Sequence, residues 1–210
     1  YRSMPSPGPG LSWFEIDMLN FDQDFLSSLS VIAALLTLIG MIVFKNTMVR
    51  SSVARLFLFL SFISAILYTP SILMYYGFHN YTIQITNGII DARFIALINT
   101  AIESPVSQIA MIPMLAWIAK NAPIRYKATF FAVFASFTNL ALSTRELITK
   151  YLNSFFVVKR EVRDIKTKEI MESADYSNLG ELLITVTLIT LVVPILTVII
   201  IQKTKYRSRD

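Results

Sequence analysis

Long stretches of the chain contain almost no charged side chains. The stretches 25–44, 56–76, 128–144 and 182–202 are uncharged throughout, and 94–119 is interrupted only by Glu103. The hydrocarbon core of a bilayer is about 30 Å thick and takes about 20 helical residues to cross. Backbone groups inside it must be satisfied within a helix. The pattern therefore predicts five complete transmembrane helices, over about 25–44, 55–76, 94–119, 126–149 and 181–202.

A soluble all-α protein is the alternative interpretation, since buried helices are also apolar. Such a protein explains one uncharged stretch of this length, but five of them leave too little polar surface to cover a core. The composition agrees, because only 16% of the residues are charged, against about 25% in an average soluble domain. We therefore predict an all-α integral membrane protein.

Lysine and arginine cluster in the connections on one side of the predicted spans. If the spans alternate, segments 45–55, 120–127 and 203–210 share a side, and each is rich in basic residues. Short cytoplasmic loops favour Lys and Arg, so we expect 203–210 to be a basic cytoplasmic tail. The net charge of +5 then reflects topology, and we expect no nucleic-acid partner.

Two segments on the opposite, outer side are unusual. The loop at about 150–180 alternates basic and acidic residues in nearly equal numbers, which predicts a solvated, partly helical excursion. Residues 1–10 contain three prolines and two glycines, which break a helix, and no signal peptide is recognisable. We interpret 1–24 as the end of a preceding transmembrane helix, mostly missing, followed by an outer loop.

One acidic side chain interrupts the third predicted span. An ionisable group inside a bilayer is costly and often marks a pathway or a partner. Asn99, Glu103 and Ser107 share one helix face at a spacing of four, and Pro105 and Pro113 disturb the same helix. A kinked helix with an acid is a candidate ion or substrate site. The alternative is a glutamate that hydrogen-bonds a neighbouring helix for packing.

A second polar face follows the fourth predicted span. Its members recur every three or four residues: Thr129, Ala132, Ser136, Asn139, Ser143, Glu146 and Lys150. Such a face indicates contact with water or with protein, although small polar residues also serve packing between helices. Glu146 can instead pair with Lys150, and Arg145 is expected to snorkel to the outer surface. We interpret a weaker stripe in the second span, from Ser61 to Tyr75, as packing and backbone bonding.

Catalytic and cofactor-binding patterns are missing from the sequence. The chain has no cysteine and a single histidine, His79, which excludes disulfides and clusters of Cys and His ligands. No phosphate loop, Gly-rich dinucleotide turn or metal-ligand motif occurs. We therefore expect no enzyme, no cofactor and no metal site.

A run of motifs extends from the third predicted span into the fourth. It reads QIAMIP (108–113), MLAWIAKNAP (114–123), KATFFA (127–132) and SFTNL (136–140). This run resembles the tenth and eleventh helices of the folate/biopterin transporter family, within the major facilitator superfamily. Further similarity lies in LNFDQDFLSSL (19–29), before the eighth helix of that family, and in YSNLG (176–180), before the twelfth.

The resemblance implies the C-terminal six-helix bundle of a major-facilitator-type transporter, with its first helix truncated and the five spans filling 25–202. The partners would be a missing N-terminal six-helix half, the lipid bilayer and a small-molecule solute bound between the halves. The implied function is secondary active transport of small organic solutes, including folate- or pterin-like compounds, by proton-coupled alternating access. Candidate substrate or proton-coupling residues are Glu103, Asn99, Ser107, Gln108, Ser136, Asn139, Ser143 and Glu146.

Two other functions remain compatible with the sequence. The chain could belong to a carrier of another metabolite, or to a non-transporting membrane protein, such as an assembly factor or receptor, that reuses the fold. Polar side chains in the spans of a carrier would face a water-filled cavity. In an assembly factor they would be buried between helices.

Overall fold

The computed structural model describes residues 2–50, 53–107, 122–164 and 170–204. These ranges contain seven α-helices, a 3₁₀ turn at Ile124–Tyr126 and two short strands. The helices are α1 (Pro9–Asp17), α2 (Gln23–Arg50), α3 (Val53–Tyr75), α4 (Phe78–Ile85), α5 (Ala92–Ser107), α6 (Lys127–Phe156) and α7 (Leu179–Gln202). The strands are β1 (Val162–Arg163) and β2 (Ile170–Glu172).

Three of the described helices are long and apolar enough to cross a membrane. They are Gln23–Phe44 within α2, Ala54–Tyr75 within α3, and Leu179–Gln202, which is α7. These coincide with three of the five predicted spans, and many of their apolar side chains are exposed, as a lipid-facing surface requires. The chain is therefore an integral membrane protein of mainly helical structure.

The other two predicted spans stay predictions. α5 covers the beginning of the span predicted at 94–119, and residues 108–119 lie outside the described part of the chain. α6 covers the span predicted at 126–149 and continues to Phe156. Its polar face makes it less apolar than α2, α3 and α7. Most of the predicted basic connection at 120–127 is described, whereas the tail is described only to Thr204.

Close contacts between helices depend on small residues. A Cβ atom at Gly40 of α2 would lie 2.6 Å from the Cα atom of Pro105 in α5, so only glycine allows this approach. The Oγ1 atom of Thr37 donates a hydrogen bond to the carbonyl oxygen of Ser104 at 3.1 Å, which joins the same two helices. α3 packs along α7 in a second pair. These contacts fix how α5 presents its polar side chains.

The main hydrophobic core lies where α7 begins. Phe14 of α1 and Val158 pack there against apolar side chains of α7, namely Leu179, Leu182, Leu183 and Val186. The ring of Tyr75, at the end of α3, lies 5.5 Å from that of Phe14. Gly180 contacts the Tyr75 ring so closely that a side chain there would clash. Burial of this core therefore ties α1, α3 and α7 together at one end.

The loop predicted at about 150–180 is helical at its beginning, as expected, but it also contains two short strands that were not expected. Helix continues only to Phe156, and Val157 adopts a left-handed conformation with φ of 51°, which is rare for a β-branched residue. β1 and β2 then pair antiparallel, with Val162 opposite Glu172. Lys159 and Asp175 exchange two backbone hydrogen bonds at 3.0 and 2.9 Å. The alternating charges thus belong partly to a two-stranded hairpin.

The connection between α3 and α5 contains a short helix that the hydrophobic pattern did not predict. Gly77, with φ of 80°, turns the chain out of α3 and begins α4.

Polar caps explain two acids that the sequence assigned only to the outer side. Asp91 Oδ1 accepts the backbone N–H of Phe94 at 2.8 Å, and Asp22 Oδ1 accepts that of Phe25 at 2.8 Å. Such caps satisfy donors at the starts of α5 and α2.

Candidate functional site

A cavity of about 260 Å³ lies among four helices and the N-terminal segment. We call it the central cavity. Its helical lining consists of Ser64, Leu67 and Tyr68 from α3, Glu103 and Val106 from α5, Leu142 and Arg145 from α6, and Thr190 from α7. Ser64 and Tyr68 lie near the middle of the apolar helix Ala54–Tyr75, and Thr190 lies near the middle of Leu179–Gln202. The cavity is therefore at mid-depth in both helices.

The N-terminal segment forms the remaining wall of the central cavity. Met4 and Pro5 line it together with Arg2. Two hydrogen bonds attach this segment to α6: the backbone N–H of Ser6 donates to Thr149 Oγ1 at 3.0 Å, and Asn153 Nδ2 donates to the carbonyl oxygen of Pro7 at 3.1 Å. The prolines and glycines that disfavour a helix at 1–10 thus have a structural use, because the non-helical chain can lie along α6.

Opposite charges face each other in the central cavity. Glu103 comes from α5 and Arg145 from α6, and their charges interact across the space. Among the described residues they form no salt bridge with each other. Arg2 adds a second basic group to the lining. The lining therefore carries two basic side chains and one acidic one.

Two polar atoms of the cavity residues are buried without a hydrogen-bond partner among the described residues. They are Nε of Arg145 and Oγ1 of Thr190. A buried donor that is left unsatisfied costs about 1–3 kcal/mol, and more when the group is charged. Such atoms are uncommon in folded proteins, and each asks for an explanation. A polar ligand in the cavity would supply partners for both atoms.

The structure brings only part of the predicted site together. Glu103 lines the central cavity, whereas Asn99 does not, although its Oδ1 atom is buried without a hydrogen-bond partner. Gln108 lies outside the described residues, as does the side chain of Ser107. The candidates on α6 are exposed and do not line the cavity: Ser136, Asn139, Ser143 and Glu146.

Four cavity residues were missed or discounted at the level of sequence. Arg145 was expected to snorkel, but it lines the cavity with its Nε atom buried. Ser64 and Tyr68 belonged to the stripe interpreted as packing, an interpretation that fits Ser61, which donates to the carbonyl of Phe57 at 2.8 Å. Nothing in the sequence pattern singled out Thr190. The one usable signal for Arg145 was a lone acid in the preceding span, because charges inside a membrane pair with one another.

A separate group of charges lies at the end of the molecule where α7 begins. Asp17 accepts hydrogen bonds from Arg160 at 3.0 and 3.3 Å and from the hydroxyl of Tyr176 at 2.5 Å. Tyr75 in turn donates from its hydroxyl to the carbonyl oxygens of Tyr176 and Ser177, at 3.0 and 2.7 Å. We call Asp17, Arg160, Tyr176 and Tyr75 the outer cluster.

Titration in the outer cluster follows from these contacts. The hydrogen bonds from the Arg160 guanidinium hold the pKa of Asp17 below its ordinary value. Partial burial raises the pKa of Tyr176 to about 12, and the hydrogen bond to Asp17 acts in the same direction. Both groups therefore keep one protonation state across the physiological range, and the outer cluster behaves as a structural fastening.

In the part of the chain that the structure describes, no three His, Asp or Glu side chains are grouped so that they could hold a metal ion. The polar side chains of the central cavity, Glu103, Arg145, Thr190 and Tyr68, can form ionic and hydrogen-bonding contacts.

Comparison with known proteins adds the family. The sequence model of the BT1 family matches residues 11–209, nearly the whole chain. This match confirms the resemblance that the motifs between 108 and 140 indicated. No protein of curated function and no solved structure is significantly similar to the chain.

Proposed function

The chain belongs to the BT1 family, the folate/biopterin transporters of the major-facilitator type, and we propose that it forms the C-terminal half of a proton-coupled secondary transporter. The family is one of transporters rather than of enzymes. Within it, the chain acts on small solutes from inside a lipid bilayer.

The observation that carries the proposal is the central cavity with Glu103 and Arg145 in its wall. Secondary transporters bind their solutes near the bilayer midplane, between two repeated bundles. The cavity lies at the middle of α3 and α7, as such a site requires. Its charged and hydroxyl-bearing side chains suit a polar organic solute, such as a folate- or pterin-like compound.

Glu103 supplies the proton coupling in this proposal. A carboxyl group facing the cavity can bind a proton when the cavity opens outward and release it when the cavity opens inward. A ligand or proton drives the exchange between two states only through unequal binding to them. Alternating access provides that inequality, because the two openings of the cavity expose Glu103 to the two sides of the membrane in turn.

The second bundle would be an N-terminal six-helix half that closes the site from the other side. The polar face of α6 supports its position, since Ser136, Asn139, Ser143 and Glu146 are exposed. Such a face in a membrane is stable against water or another polar surface. We propose that these residues line the pathway between the two halves, and that residues 203–210 are cytoplasmic.

Uptake by the full-length protein in proteoliposomes tests the proposal. Radiolabelled folate and biopterin should accumulate when an inward proton gradient is imposed and only equilibrate without one. Glu103→Gln should abolish accumulation and leave exchange across the membrane intact, because the coupling proton has no binding group. Glu181→Gln, an exposed acid at the start of α7, is the matched control and should accumulate solute like the wild type.

Other results would change the assignment in defined ways. Gradient-driven uptake of a different metabolite would identify a carrier of another substrate. No uptake of any solute would favour an assembly or receptor protein. Undiminished accumulation by Glu103→Gln would remove Glu103 from the coupling role.

A further inference from the structure

Two unsatisfied polar atoms converge on the central cavity from different helices. Nε of Arg145 on α6 and Oγ1 of Thr190 on α7 are both buried, and neither has a hydrogen-bond partner among the described residues. Both residues line the same cavity. A ligand that accepts hydrogen bonds from both would remove the cost of their burial.

The charges of the lining indicate whether that ligand is an anion or a cation. Nε of Arg145 belongs to a positively charged group and has no hydrogen-bond partner among the described residues, so a negative group gains more than a positive one in this cavity. A guanidinium presents planar donors whose spacing matches the two oxygens of a carboxylate. Bonds of this kind are roughly twice as strong as those between neutral groups.

The size of the cavity limits how much of the ligand it can enclose. A volume of about 260 Å³ is below the range of about 300–1,000 Å³ that encloses drug-sized ligands. One end of an organic acid fits within the wall that this chain provides. The rest of such a solute would extend out of the cavity.

We propose that the central cavity binds the carboxylate of the solute, with Arg145 as its cationic partner and the hydroxyl of Thr190 as a second donor. This inference rests on the proposed transport function and adds to it a rule of selection. Solutes that carry a carboxylate bind through Arg145, and uncharged pterins do not use it. Arg145 is thereby a specificity-determining residue, separate from the proton-coupling role given to Glu103.

Equilibrium binding of folate and biopterin to the full-length protein tests this rule, since folate has carboxylates and biopterin has none. Arg145→Gln should weaken folate binding at least about tenfold and leave biopterin binding within about twofold. Arg145→Lys, which keeps the charge but loses the planar fork, should lie between Arg145→Gln and the wild type. Thr190→Val, which keeps the shape, should weaken folate binding by a few-fold.

The biopterin measurement also reports whether each variant is folded. Arg125→Gln, an exposed arginine of the 3₁₀ turn, is the matched control for loss of one positive charge and should bind both solutes normally. Equal losses of folate and biopterin binding in Arg145→Gln, or unchanged folate binding, would overturn the carboxylate assignment while solute uptake still supported transport. A wild-type protein that neither binds nor transports any solute would contradict the proposed function itself.

Discussion

The outer cluster and the central cavity contain the same pair of functional groups in different states. At the outer end, Asp17 accepts two hydrogen bonds from Arg160 and a third from Tyr176. In the cavity, Glu103 and Arg145 interact only at a distance, and Nε of Arg145 has no hydrogen-bond partner among the described residues. The first pair is joined by direct hydrogen bonds, whereas Nε of Arg145 in the second pair can still donate a hydrogen bond to a ligand.

This difference separates a structural role from a functional one. A carboxylate that is fully hydrogen-bonded fixes the geometry of the segments that it joins, here α1 with the excursion after α6. An arginine held in a cavity without such bonds is costly for stability. That cost is offset only when a ligand or a moving neighbour supplies the bonds.

Exchange of the two charges in the cavity should abolish transport. We expect Glu103→Arg and Arg145→Glu each to reduce folate uptake below about a tenth of the wild type. The double variant should stay equally low, because the exchanged pair presents its cation from α5 instead of α6. The measurement is gradient-driven uptake in proteoliposomes at matched protein density. Recovery by the double variant would mean that the pair serves only to hold helices together.

Separation of α2 from α5 should damage the cavity indirectly. Gly40→Leu would force side-chain atoms against Pro105, two residues after Glu103. Overpacking of this kind costs about 1–3 kcal/mol, and we expect a lower melting temperature together with reduced uptake. Ala34→Leu, at an exposed position of the same helix, is the control and should melt like the wild type. An unchanged melting temperature for Gly40→Leu would refute the close contact.

Exchange of the charges in the outer cluster should behave differently from exchange in the cavity. Asp17→Arg and Arg160→Glu should each speed amide hydrogen exchange at 157–164 and 170–178 by about fivefold, equivalent to about 1 kcal/mol for a partly exposed pair. The double variant should return towards the wild-type rate, since these groups bind each other. If amide exchange in the double variant is as fast as in either single variant, Asp17 and Arg160 do not stabilise this segment through contact with each other.

Acid should release the outer cluster only at low pH. The folded-state pKa of Asp17 is held below its ordinary value of 3.8, so its stabilising effect is complete above that value and is lost as the pH falls through the folded pKa. Protection of amides at 157–164, taken relative to the intrinsic exchange rate at each pH, should therefore stay constant down to about pH 4 and fall below it. Asp17→Asn should lack this fall. Loss of protection near pH 6 would contradict the assigned contact.

The predictable parts of the fold were those governed by one helix at a time. Uncharged stretches predicted α2, α3 and α7, because the bilayer imposes length and composition on each span independently. The hairpin at 162–172 was not predictable, since it depends on the turn at Val157 and on the backbone pairing of Lys159 with Asp175. α4 was missed because eight residues between two spans carry too short a pattern.

The site was less predictable than the fold, because it depends on how several helices pack against one another. Glu103 stood out because an acid within an apolar stretch is costly wherever the helix faces. Arg145 did not stand out, because the periodicity of α6 gives the angle between its faces but not which face meets α3, α5 and α7. The stripe from Ser136 to Glu146 was chosen instead, and it is exposed in this chain.

Protection of a single cysteine tests most directly the claim that the central cavity is the solute site. The chain contains no cysteine, so Leu142→Cys reports on the cavity and Ile124→Cys on an exposed turn away from it. In full-length protein otherwise free of cysteine, a water-soluble thiol reagent should label Leu142→Cys, and the transported solute should slow this labelling at least about tenfold. Labelling of Ile124→Cys should not respond to the solute. An unreactive Leu142→Cys, or one labelled equally fast with saturating solute, would contradict the account.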